Sequence, residues 1–280
     1  IGTGGGLTLF ADLMHTPGTW RIDTLEFSDG HSQVTASADL RENTIELAFA
    51  GNFEKQTADR LFRDNRSLTG GLEGDFRTVI DRRNPVDASF DGRLSGQGLR
   101  IHQLVTDPIE VRQFSIDGRG SQLKILSSEV ALLDSLVKIV GLVDRSAAGL
   151  TFDLDVDADR LDDPLIRALL PRAKDAKDKT DQTPPAADHG QPRAMAVRGE
   201  IRLNTADFTY GGVTWSPVKA DIRLTDDRLD IRIDQADLCG ISTTGEVEFS
   251  NRGLGFTVRP AAQGASIADT LRCFEDTPRA

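Results

Sequence analysis

Apolar side chains recur at every second position along much of this chain, with charged or small residues between them. Val197, Gly199, Ile201 and Leu203 alternate with Arg198, Glu200 and Arg202, and Ala220, Ile222 and Leu224 with Asp221 and Arg223. Leu229, Ile231 and Ile233 are interleaved with Arg228, Asp230, Arg232 and Asp234, and Phe152, Leu154, Val156 and Ala158 with Asp153, Asp155, Asp157 and Asp159. A period of two sends successive side chains to opposite faces of a sheet, so each segment is a strand with one oily and one wet face.

Carried along the chain, the pattern predicts strands over 7–13, 20–28, 33–40, 44–53, 68–80, 86–94, 99–104, 109–117, 122–126 and 151–159. A second run follows over 197–203, 207–210, 213–215, 218–224, 228–233, 236–238, 242–249 and 254–259. Turn residues fall between them, at Asp29-Gly30, Gly211-Gly212, Asp226-Asp227 and Asn251-Arg252-Gly253. Connections this short predict a meander of antiparallel neighbours. Helices are expected at 54–65, where Ala58, Leu61 and Phe62 share a side, at 164–173 and at 265–274. A fourth is expected at 128–143, where Val130, Leu133, Val137 and Val140 stand three and four apart. Residues 174–196, rich in Lys, Asp and Pro and without aliphatics larger than Ala until Met195, predict a disordered linker. The chain then divides into 1–173, the linker 174–196, and strand repeats with a closing helix over 197–280.

Composition narrows the choices. The 280 residues carry a net charge of −11, which disfavours nucleic acid as a partner because phosphate binding needs clustered Lys and Arg. The same charge disfavours attachment to anionic headgroups through a basic patch. With 26 Gly and abundant Asp, the composition suits many short strands joined by turns. The longest oily stretch, 130–143, contains Asp134 and Lys138 and falls short of the ~20 apolar residues that cross a bilayer. No leader pattern is visible, and the opening at Ile1 reads as part of a longer chain with an anchor elsewhere.

Signatures of chemistry are sparse. Nucleophile-elbow, zincin and P-loop patterns are absent, and Gly2 to Gly6 lead into a strand pattern rather than a helix. The Asp153–Asp159 alternation has Ala158 and Pro164 where a calcium loop needs Gly and Glu, so it reads as the solvated face of a strand. His15, His31, His102 and His189 have no partners at ligand or triad spacing, and neither a metal nor a cofactor is expected. Cys239 and Cys273, 34 positions apart, are either two buried thiols or a disulfide joining a strand end to the closing helix. In the chain-entropy description such a loop is worth roughly 3–4 kcal/mol.

Longer stretches carry a resemblance. Gly199-Glu-Ile-Arg-Leu, then Phe208-Thr-Tyr-Gly-Gly-Val-Thr-Trp-Ser-Pro-Val-Lys-Ala-Asp-Ile-Arg-Leu, resembles the repeating strand units of AsmA-like proteins. So does Asp227-Arg-Leu-Asp-Ile followed by Ala236-Asp-Leu-Cys-Gly-Ile-Ser-Thr-Thr-Gly-Glu-Val, and Val156-Asp-Ala-Asp-Arg-Leu-Asp looks like the segment that precedes such units. The likeness spans residues 85–280; residues 1–84 share only the strand texture. The wider set has TamB- and YhdP-like members and resembles the bridge-like lipid-transfer proteins of eukaryotes. The resemblance implies an inner-membrane anchor outside this chain and an elongated periplasmic β-structure in Gram-negative bacteria. It further implies possible inner- and outer-membrane partner proteins, a part in outer-membrane lipid supply, and no catalytic residues.

The expected fold is therefore mainly β: a long, twisted antiparallel sheet curled into a trough, with a few short helices. Its inward set is expected to be Phe152, Leu154, Val156, Ile201, Leu203, Ile222, Leu224, Leu229, Ile231, Ile233, Val247, Phe249, Phe256 and Val258, forming a greasy track for phospholipid acyl chains. The bland reading of the same residues is a sandwich core closed to everything else, belonging to a β-rich, adhesin-like scaffold whose edges recruit partners.

Overall fold

The computed structural model describes residues 6, 8–62, 64–82, 88–101, 109–146, 149–162, 196–250, 253–262, 264 and 266–276. They form one open sheet of sixteen strands, not closed into a barrel, with two short helices. The strands are β1 (Thr8–Thr16), β2 (Thr19–Ser28), β3 (Gln33–Leu40), β4 (Thr44–Glu54), β5 (Gly71–Asp81), β6 (Ser89–Ile101), β7 (Ile109–Gly120) and β8 (Gln122–Leu132). They continue as β9 (Ser135–Ser146), β10 (Gly149–Leu161), β11 (Val197–Tyr210), β12 (Val213–Trp215), β13 (Val218–Leu224), β14 (Arg228–Leu238), β15 (Ile241–Ser250) and β16 (Gly253–Ala262). Helix α1 (Lys55–Leu61) follows β4, and α2 (Ile267–Asp276) follows β16.

Each strand lies beside its sequence neighbour from β1 to β16, except that the short β12 pairs only with the far end of β11. At ~4.8 Å per strand the sheet runs about 70 Å across its strands. Substantial contacts between elements join sheet neighbours or near neighbours, and none is face to face between distant strands. The sheet is one layer thick among the described residues.

Three expectations need correction. Residues 128–143 are not a helix: they form the end of β8, a two-residue turn and most of β9. Val130, Val137, Ile139, Val140 and Val143 are β-branched and suit a pleated surface, and Leu133 turns the chain with φ of 54°. The three-and-four spacing arose because Leu133 stands in the turn and Val140 lies on the opposite face of β9 from Val137. Secondly, the meander is broken once, because β10 and β11 pair in parallel, Leu154 beside Ile201. Leu161 and Val197 consequently lie on opposite long sides of the sheet. Thirdly, segments expected as separate strands are continuous: 197–203 with 207–210 in β11, and 228–233 with 236–238 in β14 across a bulge. The predicted helix at 164–173 and all of the predicted linker except Ala196 lie outside the described residues.

The two long sides differ. One carries α1, α2, β12, the Asp29–Ser32 turn and the tight turns Leu133-Asp134 and Cys239-Gly240. Here Leu132, Ala158 and Leu161 pack with Ile109, Val137, Leu203 and Phe208 around them. Phe27, Val34, Thr57, Ala58, Val218 and Ala236 are buried nearby. On this braced rim, Thr57 donates to Asp29 at 2.9 Å, Ser32 donates to Thr57 at 2.6 Å, and the Glu54 N–H donates to Ser32 at 2.9 Å, fixing α1 to the sheet. The opposite, bare rim has turns such as Pro17-Gly18, Arg41–Asn43 and Thr225–Asp227. In the half of the sheet toward it, only Thr78, Ala88, Asp117 and Gly118 are buried among the described residues.

Candidate functional site: an apolar face across the sheet

Residues directly opposite one another in a ladder share a face, so the register decides which of the fourteen predicted track residues come together. All fourteen do, in three rows. Phe152, Leu224, Leu229 and Phe249 lie in one, joined through Gly199. Leu154, Ile201, Ile222, Ile231, Val247 and Phe256 form the second without interruption. Val156, Leu203, Ile233 and Val258 form the third, through Ala220 and Gly245. None of the fourteen is buried: Phe249, Phe256 and Val258 are exposed at 43%, 69% and 47%, and the others are half-buried. A sandwich core would bury such side chains, whereas same-face neighbours alone shield them partly.

The rows extend well beyond those fourteen residues. The second continues from Leu154 through Gly141, Ile125, Ile116, Leu94, Gly74, Gly51, Val34 and Phe27 to Leu9. The first continues from Phe152 through Val143, Leu123, Gly118, Gly92, Phe76, Phe49, Ala36 and Leu25 to Ala11. One apolar face therefore crosses the sheet from β1 to β16. Sequence reasoning missed its N-terminal half because glycines replace aliphatics there and blur the alternation. The usable signal was the placement of Gly opposite Phe. Phe152 fills the space a side chain at Gly199 would need, Phe90 does so at Gly118, and Phe114 at Gly96.

The other face is charged. Arg202 pairs with Asp153 at 2.7 Å and with Asp155, Arg223 with Glu200 at 2.7 Å, and Arg232 with Asp221. Arg228 pairs with Asp230 at 2.6 Å and with Glu248 at 3.8 Å. The Arg202 hydrogen bond holds the Asp155 carboxyl below the usual carboxylate range, and Asp155 and Asp153 raise the Arg202 guanidinium in turn. Further along, Asp117 sits between Arg93 at 2.8 Å and Arg119 at 3.3 Å, and the Arg93 bond lowers its pKa most. A cleft of about 590 Å³ opens over β11 and β13 to β16. Its lining combines charged residues such as Arg202, Arg223 and Arg232 with Ile201, Ile222, Ile231, Val247 and Phe256 of the second row. These exposed cross-strand pairs set register more than they add stability.

The expected cysteine pair is a disulfide, with Cα atoms 5.6 Å apart. Cys239 and Gly240 form the two-residue β14–β15 turn with φ of 52° and 79°, and the Thr270 hydroxyl donates to the Cys239 carbonyl at 3.1 Å. Together these attachments fasten α2 to the braced rim. No described helix is long and apolar enough to cross a membrane.

Fold and face together define a class: an elongated, open, single-layer β-sheet protein, apolar on one side and ion-paired on the other. Compared with models of protein families, with curated proteins and with solved structures, the chain matches none.

Proposed function

We propose that this chain is the periplasmic segment of an AsmA-like protein that carries or shields phospholipid acyl chains, without catalysis, between inner and outer membranes. The observation that carries the reading is the apolar face, uncovered at all fourteen track residues, whose rows run at right angles to the strands from β1 to β16. Aliphatic and phenyl groups offer no donors or acceptors, so they hold hydrocarbon without fixing its position. Each methylene transferred from water contributes about 0.8 kcal/mol, enough for a long acyl tail to be retained while it slides. The Cys239–Cys273 bond supports an oxidising compartment such as the periplasm. The resemblance to AsmA-like repeats supplies the membrane anchor, the partner proteins and the envelope role as part of the same proposal.

A rival reading, an interaction scaffold, is favoured by β1, an edge strand exposed along all nine residues with Asp12 its one ionisable carboxylate. Native mass spectrometry separates the two. Phospholipid co-purifying with the chain, and lost in Ile231→Asp while the circular dichroism of the sheet persists, supports the trough. The retained fold is expected because an uncovered face can hydrate a carboxylate that a sealed core cannot. A lipid-free protein that cannot be loaded from detergent-solubilised phospholipid, or an Ile231→Asp variant that unfolds, overturns it.

A further inference from the structure

The two rims of the sheet differ enough to orient a bound lipid. Along the braced rim, the connections and helices are folded back onto the strand ends. Leu132, Ala158 and Leu161 are buried there in a packed cluster, α1 is pinned through Thr57 to Asp29, and α2 is fastened through Cys239. Any polar headgroup leaving the apolar face on this side would have to cross packed side chains. Along the bare rim the strands simply turn, and among the described residues little is buried in that half of the sheet. A tail lying on the rows there has open water one or two residues away.

Arginines also recur at the bare rim. Arg41 follows β3, Arg145 stands near the end of β9, Arg198 near the start of β11, and Arg228 at the start of β14. Arg41, Arg198 and Arg228 lie about half exposed beside Asp39, Asp226 and Asp230. By register Arg198 and Arg228 belong to the ion-paired face, and Arg41 is bonded to Asp39 of that face, so these arginines mark the bare rim without reaching the apolar rows. The braced rim has basic residues of its own, so charge alone does not choose the side; packing does.

We infer that phospholipids lie in the trough with their headgroups along the bare rim and not along the braced rim. This rests on the trough reading, and two probes keep the two claims apart. The full chain is loaded with phosphatidylcholine carrying a diazirine at the end of one acyl chain, or with phosphatidylethanolamine carrying a benzophenone on its headgroup. Each complex is irradiated and mapped by mass spectrometry. The tail probe is expected to label the apolar rows, and the headgroup probe to label the bare-rim turns several-fold more than residues 29–32, 55–61, 133–134 and 239–240. If the tail probe misses the rows, the trough reading itself fails. If the tail probe labels the rows while the headgroup probe labels the braced rim, both rims equally or neither, the orientation fails alone.

Discussion

The N-terminal and C-terminal halves of the apolar face achieve the same surface by different means. From β10 to β16 the rows are filled by Ile, Leu, Val and Phe, with Gly199 and Gly245 as occasional gaps. From β4 to β7 they pass through Gly51, Gly74, Gly92 and Gly118, three of which adopt φ of 119°, 150° and 91°. A Cβ at any of those three would strike a carbonyl oxygen on the adjacent strand. The backbones there approach more closely than side chains allow, and glycine kinks of this kind bend a sheet. The C-terminal half is therefore a lining, and the N-terminal half is a bend. A long β-sheet that carries hydrocarbon needs both, because a flat sheet has no interior.

The largest effect should come from placing a side chain in the bend. Gly92→Val must move the Asp75 carbonyl and hold a β-branched residue at φ of 91°. Overpacking and left-handed strain together cost about 3–5 kcal/mol. The matching change in the lining, Ile222→Ala, deletes a half-buried side chain with room to rehydrate and should cost about 1 kcal/mol. Urea unfolding of both variants measures the contrast. Equal losses would mean that the glycines are incidental and the two halves are built alike.

A second contrast lies in what fastens each half to its rim helix. At the C-terminal end, α2 is held by the disulfide and the Thr270 hydroxyl, with Ile267 and Leu271 left exposed. Cys273→Ser should therefore free α2 and lower stability by about 4 kcal/mol, the loop-closure value for a 34-residue separation. Hydrogen exchange should show the loss confined to β14, β15, β16 and α2. Unchanged protection of α2 would show that packing, not the bond, holds it.

The C-terminal half was legible in the sequence because an uninterrupted aliphatic alternation reports strand, face and register at once. Ile201, Ile222 and Ile231 could be assigned to one face without coordinates, and they do pair directly. The N-terminal half was legible as strands and not as a face. Glycine has no side chain to report its side, so Gly51 and Gly74 leave holes in the pattern where the backbone itself fills the row. Residues 128–143 misled for another reason. Leu133 counts in the pattern although it stands in a turn, and Val140 lies on the opposite face of β9 from Val137, so a three-and-four spacing appears where the chain only reverses direction. The parallel β10–β11 pair was invisible, since strand direction leaves no mark on a short alternating segment.

The smallest effect concerns the N-terminal helix, fastened by hydrogen bonds where α2 is fastened covalently. Burial pushes the Asp29 carboxyl up, but the backbone N–H groups of His31 and Ser32, the Thr57 hydroxyl and the Arg60 guanidinium outweigh it, and the net pKa is depressed. A carboxyl depressed on folding contributes stability that is present above its unfolded value of about 3.9 and is lost as pH falls through the folded value. The protection of Thr57 and Ala58 against hydrogen exchange, relative to the intrinsic rate, should therefore fall below about pH 4 in the wild type, while α2 stays protected by its disulfide. Asp29→Asn removes the titration, so its α1 should be loosened at every pH with no further acid-dependent step. If α1 and α2 loosen together on acidification, the two anchors are not independent. The acid response would then belong to the sheet as a whole and not to Asp29.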